Sequence, residues 1–217
     1  MLIRWMKMSE IDIFKVLKEA EKRKKIKEKP ILVRRVEIKE VMPCFTTPGY
    51  IRFTAQADRK IAEVIPIIFL MFPPGKTNYS IKENTLILRA FNRMITFFPT
   101  GKIAVTNTRD KKEAEEILQK IIDIINDAHE FYLKYGKPNK EVIETAAKLS
   151  WMDIYNYLPK TNCGECGYQT CSAFAVSLLQ GETKLSKCKP LRGEYSKNLE
   201  KLKEKIGEIM LKSLGWE

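Results

Sequence analysis

Four of the five cysteines in this 217-residue chain lie close together in the sequence, and their thiolates could bind a metal or a cluster. They follow the spacing C-x2-C-x4-C-x16-C and are Cys163, Cys166, Cys171 and Cys188. Cysteines at short spacing are ligands for zinc or for the iron of an iron–sulfur cluster. The fifth, Cys44, lies outside this pattern, and we expect it to be a loop or core thiol.

The spacing favours an iron–sulfur cluster over a zinc ion. A structural zinc site usually takes two short ligand pairs, and the second pair is missing here. The only histidine, His129, falls in a predicted long helix, where we expect a surface residue and not a ligand. A cubane cluster needs one thiolate at each of four corners, commonly three from one loop and one from further along the chain. We therefore predict one [4Fe–4S] cluster.

The residues between the cysteines fit the same interpretation. Gly164 and Gly167 would let the loop curve around a bulky cluster without side-chain clashes. Thr170 is a typical N-cap for a helix that begins at Cys171, and the free N–H groups of that helix would point towards an anionic cluster. Gly181 would end the helix, after which the chain returns to supply its fourth cysteine.

The stretch LPKTNCGECGYQTCSAFAVSLLQGETKLSKCKPL, Leu158 to Leu191, resembles a known iron–sulfur domain. This four-cysteine domain occurs in the large subunit of the corrinoid iron–sulfur protein and in the B subunit of Rnf-type electron-transport complexes. The resemblance implies that the four cysteines here bind one [4Fe–4S] cluster. The family usually has proline directly after the last cysteine, whereas this chain has Lys189 and then Pro190, a change we expect to affect only the local turn. We expect no corrinoid-binding barrel and no membrane segment, so the resemblance extends to the cofactor and not to the activities of these relatives.

The rest of the sequence predicts an α+β fold. Alternating apolar residues indicate a strand at Val36–Val41 and another at Ile51–Ala55, and a helix is expected to begin near Asp58. Four short strands are predicted at Asn78–Ile81, Leu86–Phe91, Met94–Phe98 and Lys102–Asn107. Further helices are predicted from about Glu10 to Lys25, from Asp110 to Gly136, from Asn139 to about Tyr157, and from Leu199 to Leu214.

Residues 50–130 resemble one half-repeat of the TATA-binding protein fold. The likeness is strongest in ITFFPTGKIAVTNTRDKKEAEEIL, Ile95 to Leu118, and implies an antiparallel sheet packed by helices. Phe98 falls where that family has a DNA wedge, but the family's saddle needs two half-repeats and we expect Phe97 and Phe98 to be sheet and core residues. We thus predict three parts: a basic N-terminal helix and strand (1–49), the α+β domain (50–136), and a mainly helical part with the iron–sulfur domain (137–217).

The net charge of +12 is concentrated near the start of the chain. Residues 1–41 hold 13 Lys and Arg against 7 Asp and Glu. Such a group of positive charges attracts polyanions, so this segment is a candidate nucleic-acid site. The alternative is a solvated helix face. The candidate residues are Lys22, Arg23, Lys24, Lys25, Lys27 and Lys29.

Two functional hypotheses follow. The first is a cytoplasmic single-electron carrier that works with a redox partner protein; the second is a regulatory or binding module for nucleic acid or protein, in which the cluster is a sensor or a structural staple. Pairing of two copies into a homodimer is a further hypothesis. No phosphate loop, paired carboxylates or nucleophile with a base is found, so we expect no independent catalytic activity. The longest apolar run, Ile65–Phe72, is too short to span a membrane.

Overall fold

A six-stranded antiparallel sheet lies at the centre of the computed structural model, which describes residues 30–45 and 47–216. The strands follow the sheet order β1-β2-β6-β5-β4-β3, so that β1 and β3 are its two edges. They are β1 (Val36–Pro43), β2 (Ile51–Ala57), β3 (Thr77–Ser80), β4 (Thr85–Ala90), β5 (Arg93–Phe97) and β6 (Lys102–Thr108). The predicted α+β class with an antiparallel sheet packed by helices is confirmed.

One face of the sheet is apolar and covered by helices. Leu86, Phe97 and Ile103 are directly opposite one another on β4, β5 and β6, and all three are fully buried. On β5, Met94 and Thr96 lie on the other face, because successive strand residues alternate. The period of two in the sequence therefore sets which face forms the core.

Six helices accompany the sheet in the described part of the chain. They are α1 (Ile65–Leu70), α2 (Lys111–Tyr135), α3 (Lys140–Ala147), α4 (Trp151–Tyr155), α5 (Cys171–Gln180) and α6 (Ser196–Ser213). The longest, α2, has the caps expected from sequence: Asp110 accepts a hydrogen bond from the Glu113 N–H at 2.8 Å, and Gly136 ends the helix with φ of 76°. None of these helices is long and apolar enough to cross a bilayer.

The structure corrects three helix predictions. The helix expected near Asp58 begins instead at Ile65, because Asp58 is engaged in pairing with the chain before β1: its N–H donates to the Arg35 carbonyl at 3.1 Å. The helix expected over residues 139–157 is two helices, since Ser150 and Asp153 form a capping box that starts α4. The terminal helix α6 is kinked at Gly207, whose φ is 79°. The predicted helix at residues 10–25 lies outside the described residues.

The cysteine-bearing segment packs against the same core as the sheet. Here "the cysteine segment" means residues 158–191. Its buried side chains Phe174, Ala175 and Leu178 belong to one continuous apolar cluster with the sheet, α1 and α2. Helix α5 lies against α4 and against the turn at Pro74–Lys76. Gly75 permits this approach, because a Cβ there would lie 2.7 Å from the Leu179 carbonyl oxygen.

Candidate iron–sulfur site

The cysteine loop, residues 159–170, is strongly curved. Lys160, Asn162, Gly164 and Gly167 all have positive φ, at 61°, 50°, 75° and 88°. The Gly167 N–H donates to the Gly164 carbonyl at 2.9 Å, which closes a tight turn that contains the second cysteine. No atom lies within 4 Å of a Cβ built on either glycine, so glycine is favoured there by backbone conformation and not by crowding.

Two side chains fasten this loop to the N-terminus of α5. The Thr170 hydroxyl accepts the Ala173 N–H at 3.1 Å, which is the N-cap predicted from sequence. In addition, the Asn162 Oδ1 accepts the Cys171 N–H at 2.9 Å. Sequence reasoning missed Asn162, although an asparagine tolerates the left-handed backbone better than most residues and directly precedes the first cysteine. The bond fixes the first and third cysteines relative to each other.

The fourth cysteine arrives on a segment tied to the C-terminal end of the described chain. Gly181 ends α5 in the left-handed conformation, as predicted. The Leu185 N–H then donates to the Leu214 carbonyl at 2.7 Å, and the Ser186 N–H donates to Gly215 at 3.3 Å. Cys188 follows, at the junction of two short 3-10 helices, Leu185–Lys187 and Lys189–Arg192. Its place therefore depends on contacts with residues after α6.

Burial differs among the four thiols. Cys163 is exposed, Cys166 is half-buried, and Cys171 and Cys188 are buried. Burial raises the pKa of Cys188 to about 11, and the nearby Cys166, Cys171 and Cys163 raise that pKa further, opposed by a hydrogen bond from the Leu191 N–H. The charge of Cys188 thus interacts with those of the other three thiols, and thiolates at these positions would repel one another without a bound cation.

Apolar side chains cover the inner side of the site. Phe174 and Leu178 on α5 are fully buried, as is Leu191 just beyond Cys188. The Tyr168 ring lies 5.5 Å from the Phe174 ring, which links the loop to this cover. Water therefore reaches the site from the loop side, where Cys163 is exposed.

The four cysteines of the motif all lie in the cysteine segment, whereas the other candidate ligands lie elsewhere in the fold. Cys44 follows β1, at the opposite edge of the sheet from β3, where its N–H donates to the Tyr50 carbonyl at 2.8 Å. His129 lies in α2 with its ring 6.4 Å from that of Tyr132. In the part of the chain described, no three His, Cys, Asp or Glu side chains converge closely enough to share one metal ion.

The other predicted site lies outside the described residues. It comprises Lys22, Arg23, Lys24, Lys25, Lys27 and Lys29. Of the two phenylalanines considered at the sheet, Phe97 is fully buried in the core. Phe98 is half-buried at a turn, where its N–H donates to the Lys102 carbonyl at 3.0 Å.

Comparison with known proteins finds similarity in the cysteine segment. Residues 158–190 match a family model described as "Putative Fe-S cluster". This match supports the predicted iron–sulfur cofactor. No solved structure matches the chain, so the resemblance of residues 50–130 to a TATA-binding protein half-repeat stays a prediction.

Several curated relatives are gamma subunits of the acetyl-CoA decarbonylase/synthase complex. The subunit from Archaeoglobus fulgidus is 44% identical over 59 residues, which are 27% of this chain and 12% of the relative. That from Methanocaldococcus jannaschii is 48% identical over 63 residues, 29% of this chain and 12% of the relative. That from Methanopyrus kandleri is 52% identical over 58 residues, with 27% and 12% covered. The similarity thus spans only about an eighth of each relative.

Proposed function

We propose that Cys163, Cys166, Cys171 and Cys188 hold one [4Fe–4S] cluster and that the chain carries single electrons to or from a partner protein in the cytoplasm. The observation that carries this proposal is the match of residues 158–190 to a family model described as "Putative Fe-S cluster". It is supported by the hydrogen bond that ties the cysteine loop to the N-terminus of α5 and by burial that decreases from Cys188 to Cys163. The matched relatives are subunits of a multi-subunit complex, which favours a protein partner.

The donor set fits a cluster in its chemistry and its surroundings. A cubane takes one sulfur at each of four irons, whereas zinc would draw all four sulfurs to about 2.3 Å from a single point. The positive end of the α5 dipole would favour a negatively charged group, although the Cys171 and Ala173 N–H groups of its first turn already donate to Asn162 and Thr170. Burial first, and then repulsion by the other thiolates, raises the pKa of Cys188; iron binding would compensate both effects.

Each part of the site would have a distinct role in electron transfer. A bound cluster would supply the chemistry, the uptake and release of one electron. The three buried side chains Phe174, Leu178 and Leu191 would exclude water from its inner side and so help set its reduction potential. The exposed edge at Cys163 would give a partner close access.

A second candidate function is a structural or sensing role for the cluster. It is favoured by the pairing of Leu185 with Leu214, because a cluster that fixes Cys188 would also fix the end of α6. The two functions differ in redox behaviour. A cluster that takes up one electron reversibly supports the carrier, and a cluster that no accessible potential reduces would leave only the structural role.

The cofactor itself is tested by purification without oxygen. We expect about four iron and four acid-labile sulfide per chain, and loss of the cluster when any of the four cysteines is replaced by Ala. Cys44→Ala is the matched control and should keep the full iron content. One zinc per chain with no sulfide would overturn the proposal, and loss of iron in the Cys44 variant would show that the ligand set is wrong.

A further inference from the structure

Lysines stand on both sides of the exposed edge of the cysteine loop. Lys160 lies at its start, with its Nζ 5.1 Å from the Tyr155 ring centre and 3.5 Å from the Asn156 Oδ1. Lys189 approaches from the other side: its Nζ lies 3.8 Å from a carboxylate oxygen of Glu165, which sits between the first two cysteines. Two separate parts of the chain thus bring cations to the same loop.

The charge of this region is positive and open to solvent. Lys187 and Lys189 flank Cys188 directly in sequence, and both are exposed although the cysteine between them is buried. Residues 158–194 contain five Lys and Arg against three Glu. The side chain of Lys189 is 76% exposed, so its contact with Glu165 is a loose surface pair that leaves the ammonium available.

Apolar area lies beside these cations. Trp151 and Met152, on α4, are 37% and 56% exposed. The Trp151 ring is 6.3 Å from that of Tyr155, whose ring in turn contacts Lys160. Aromatic and methionine side chains are enriched in the centres of protein interfaces, whereas lysines are typical of their rims.

Building on the proposed electron-carrier function, we infer that the exposed edge of the cysteine loop is the docking surface for an acidic redox protein. Carboxylates of that partner would pair with Lys160, Lys187 and Lys189. Opposite charges would steer the partner to the one edge where a thiol is exposed, which shortens the path for the electron. Charge complementarity thus selects an acidic protein as the occupant.

The inference is tested by electron transfer to small oxidants of opposite charge. Reduced holo-protein is mixed in a stopped-flow instrument with tris(oxalato)cobaltate(III), charge −3, or with hexaamminecobalt(III), charge +3. In each reaction the reduced cluster loses one electron and Co(III) becomes Co(II). The triple variant Lys160→Glu, Lys187→Glu, Lys189→Glu is compared with the unaltered protein, and the ratio of the two oxidants' rates cancels any common change in driving force.

We expect the triple variant to lower the anion-to-cation rate ratio by about tenfold or more at low ionic strength, and the effect to fade as salt screens the charges. The matched control is Lys39→Glu, Arg59→Glu, Lys102→Glu, which makes the same net charge change at exposed positions on the β1, β2 and β6 side of the sheet. It should shift the ratio far less.

Two results would overturn the inference while leaving the cluster in place: a ratio unchanged by the triple variant, or an equal shift in the control. Failure of the proposed function would give a different result. The purified protein would then contain no iron and sulfide, or its cluster would not take up an electron at all.

Discussion

The sheet and the cysteine segment acquire their order from different sources. The sheet is defined by apolar side chains at alternate positions, and its core residues, such as Leu88 and Ile95, are fully buried. The cysteine loop has no such residues between Lys160 and Glu165, which are all exposed. Its shape depends instead on positive φ angles, two side-chain caps and the contacts of α5.

This difference implies that the two regions respond to different changes. Loss of buried apolar volume should weaken the whole molecule without a direct effect on the thiols. Loss of a loop conformation or a cap should weaken cluster retention and leave the sheet intact, because the loop contributes little to the common core. The four predictions below test this separation, in order of decreasing expected effect.

The largest effect is expected from Phe97→Ala. Phe97 is fully buried between Leu86 and Ile103, so truncation leaves a cavity and should lower the free energy of unfolding by about 3–5 kcal/mol. Urea denaturation followed by circular dichroism measures this loss. Phe98→Ala, at a half-buried position one residue further along, is the control and should cost about 1 kcal/mol. Under native conditions the iron content of both variants should stay unchanged; cluster loss in either would show that the regions are coupled.

The next effect is expected from Gly167→Ala. Gly167 has φ of 88°, and an alanine in the left-handed region costs about 1–2 kcal/mol. Since the cost falls on the loop, we expect the variant to lose its iron to a chelator about 5–30 times faster, with the urea midpoint of the sheet unchanged. Gly167→Asn should recover part of the loss, because asparagine tolerates this conformation. Equal iron retention in all three proteins would mean that loop conformation does not limit cluster stability.

A smaller effect is expected from removal of the Asn162 side chain. Its hydrogen bond to the Cys171 N–H is worth about 1 kcal/mol. Asn162→Gly removes that bond without strain, whereas Asn162→Ala removes it and adds the cost of a left-handed alanine at φ of 50°. The rate of iron loss should therefore increase in the order Asn, Gly, Ala. If the glycine variant retains iron as well as the unaltered protein, the bond does not hold the loop.

Local patterns in the sequence were sufficient for the elements that depend on local chemistry. Alternation located the strands, and Asp110, Thr170 and Gly181 were found as helix caps because capping depends on residues within one turn. The cysteine site was also predicted from a local pattern, the spacing of the cysteines in the sequence. The break before α4 also had a local signal, the Ser150–Asp153 capping box, but apolar residues at helical spacing on both sides concealed it.

Long-range contacts could not be predicted in this way. The hydrogen bond between Asn162 and Cys171 joins residues nine positions apart. It depends on the curvature of the loop between them, which helix and strand propensities do not predict. The pairing of Leu185 with Leu214, and the fit of Gly75 against Leu179, depend on how separate elements pack. The kink at Gly207 was missed because apolar residues continue on both sides of it. The domain boundaries and the basic nucleic-acid site stay predictions.

The smallest effect is expected from the ion pair that joins α6 to α4. The Lys205 Nζ lies 3.0 Å from Asp153, with both side chains 35% exposed, so the pair should contribute only about 0.2–1 kcal/mol and less at high salt.

Asp153 is held mainly by the hydroxyl and N–H of Ser150, then by Lys205, and these bonds lower its pKa to about 2. A carboxyl group with a lowered pKa stabilises the fold above its ordinary pKa of 3.8, and the contribution disappears as the pH falls through about 2. Between pH 5 and 8 the effect of Lys205→Met on the urea midpoint should therefore be small and constant. Asp153→Asn, which also disrupts the capping box, should cost more; an equal cost for both would show that Asp153 acts through Lys205 alone.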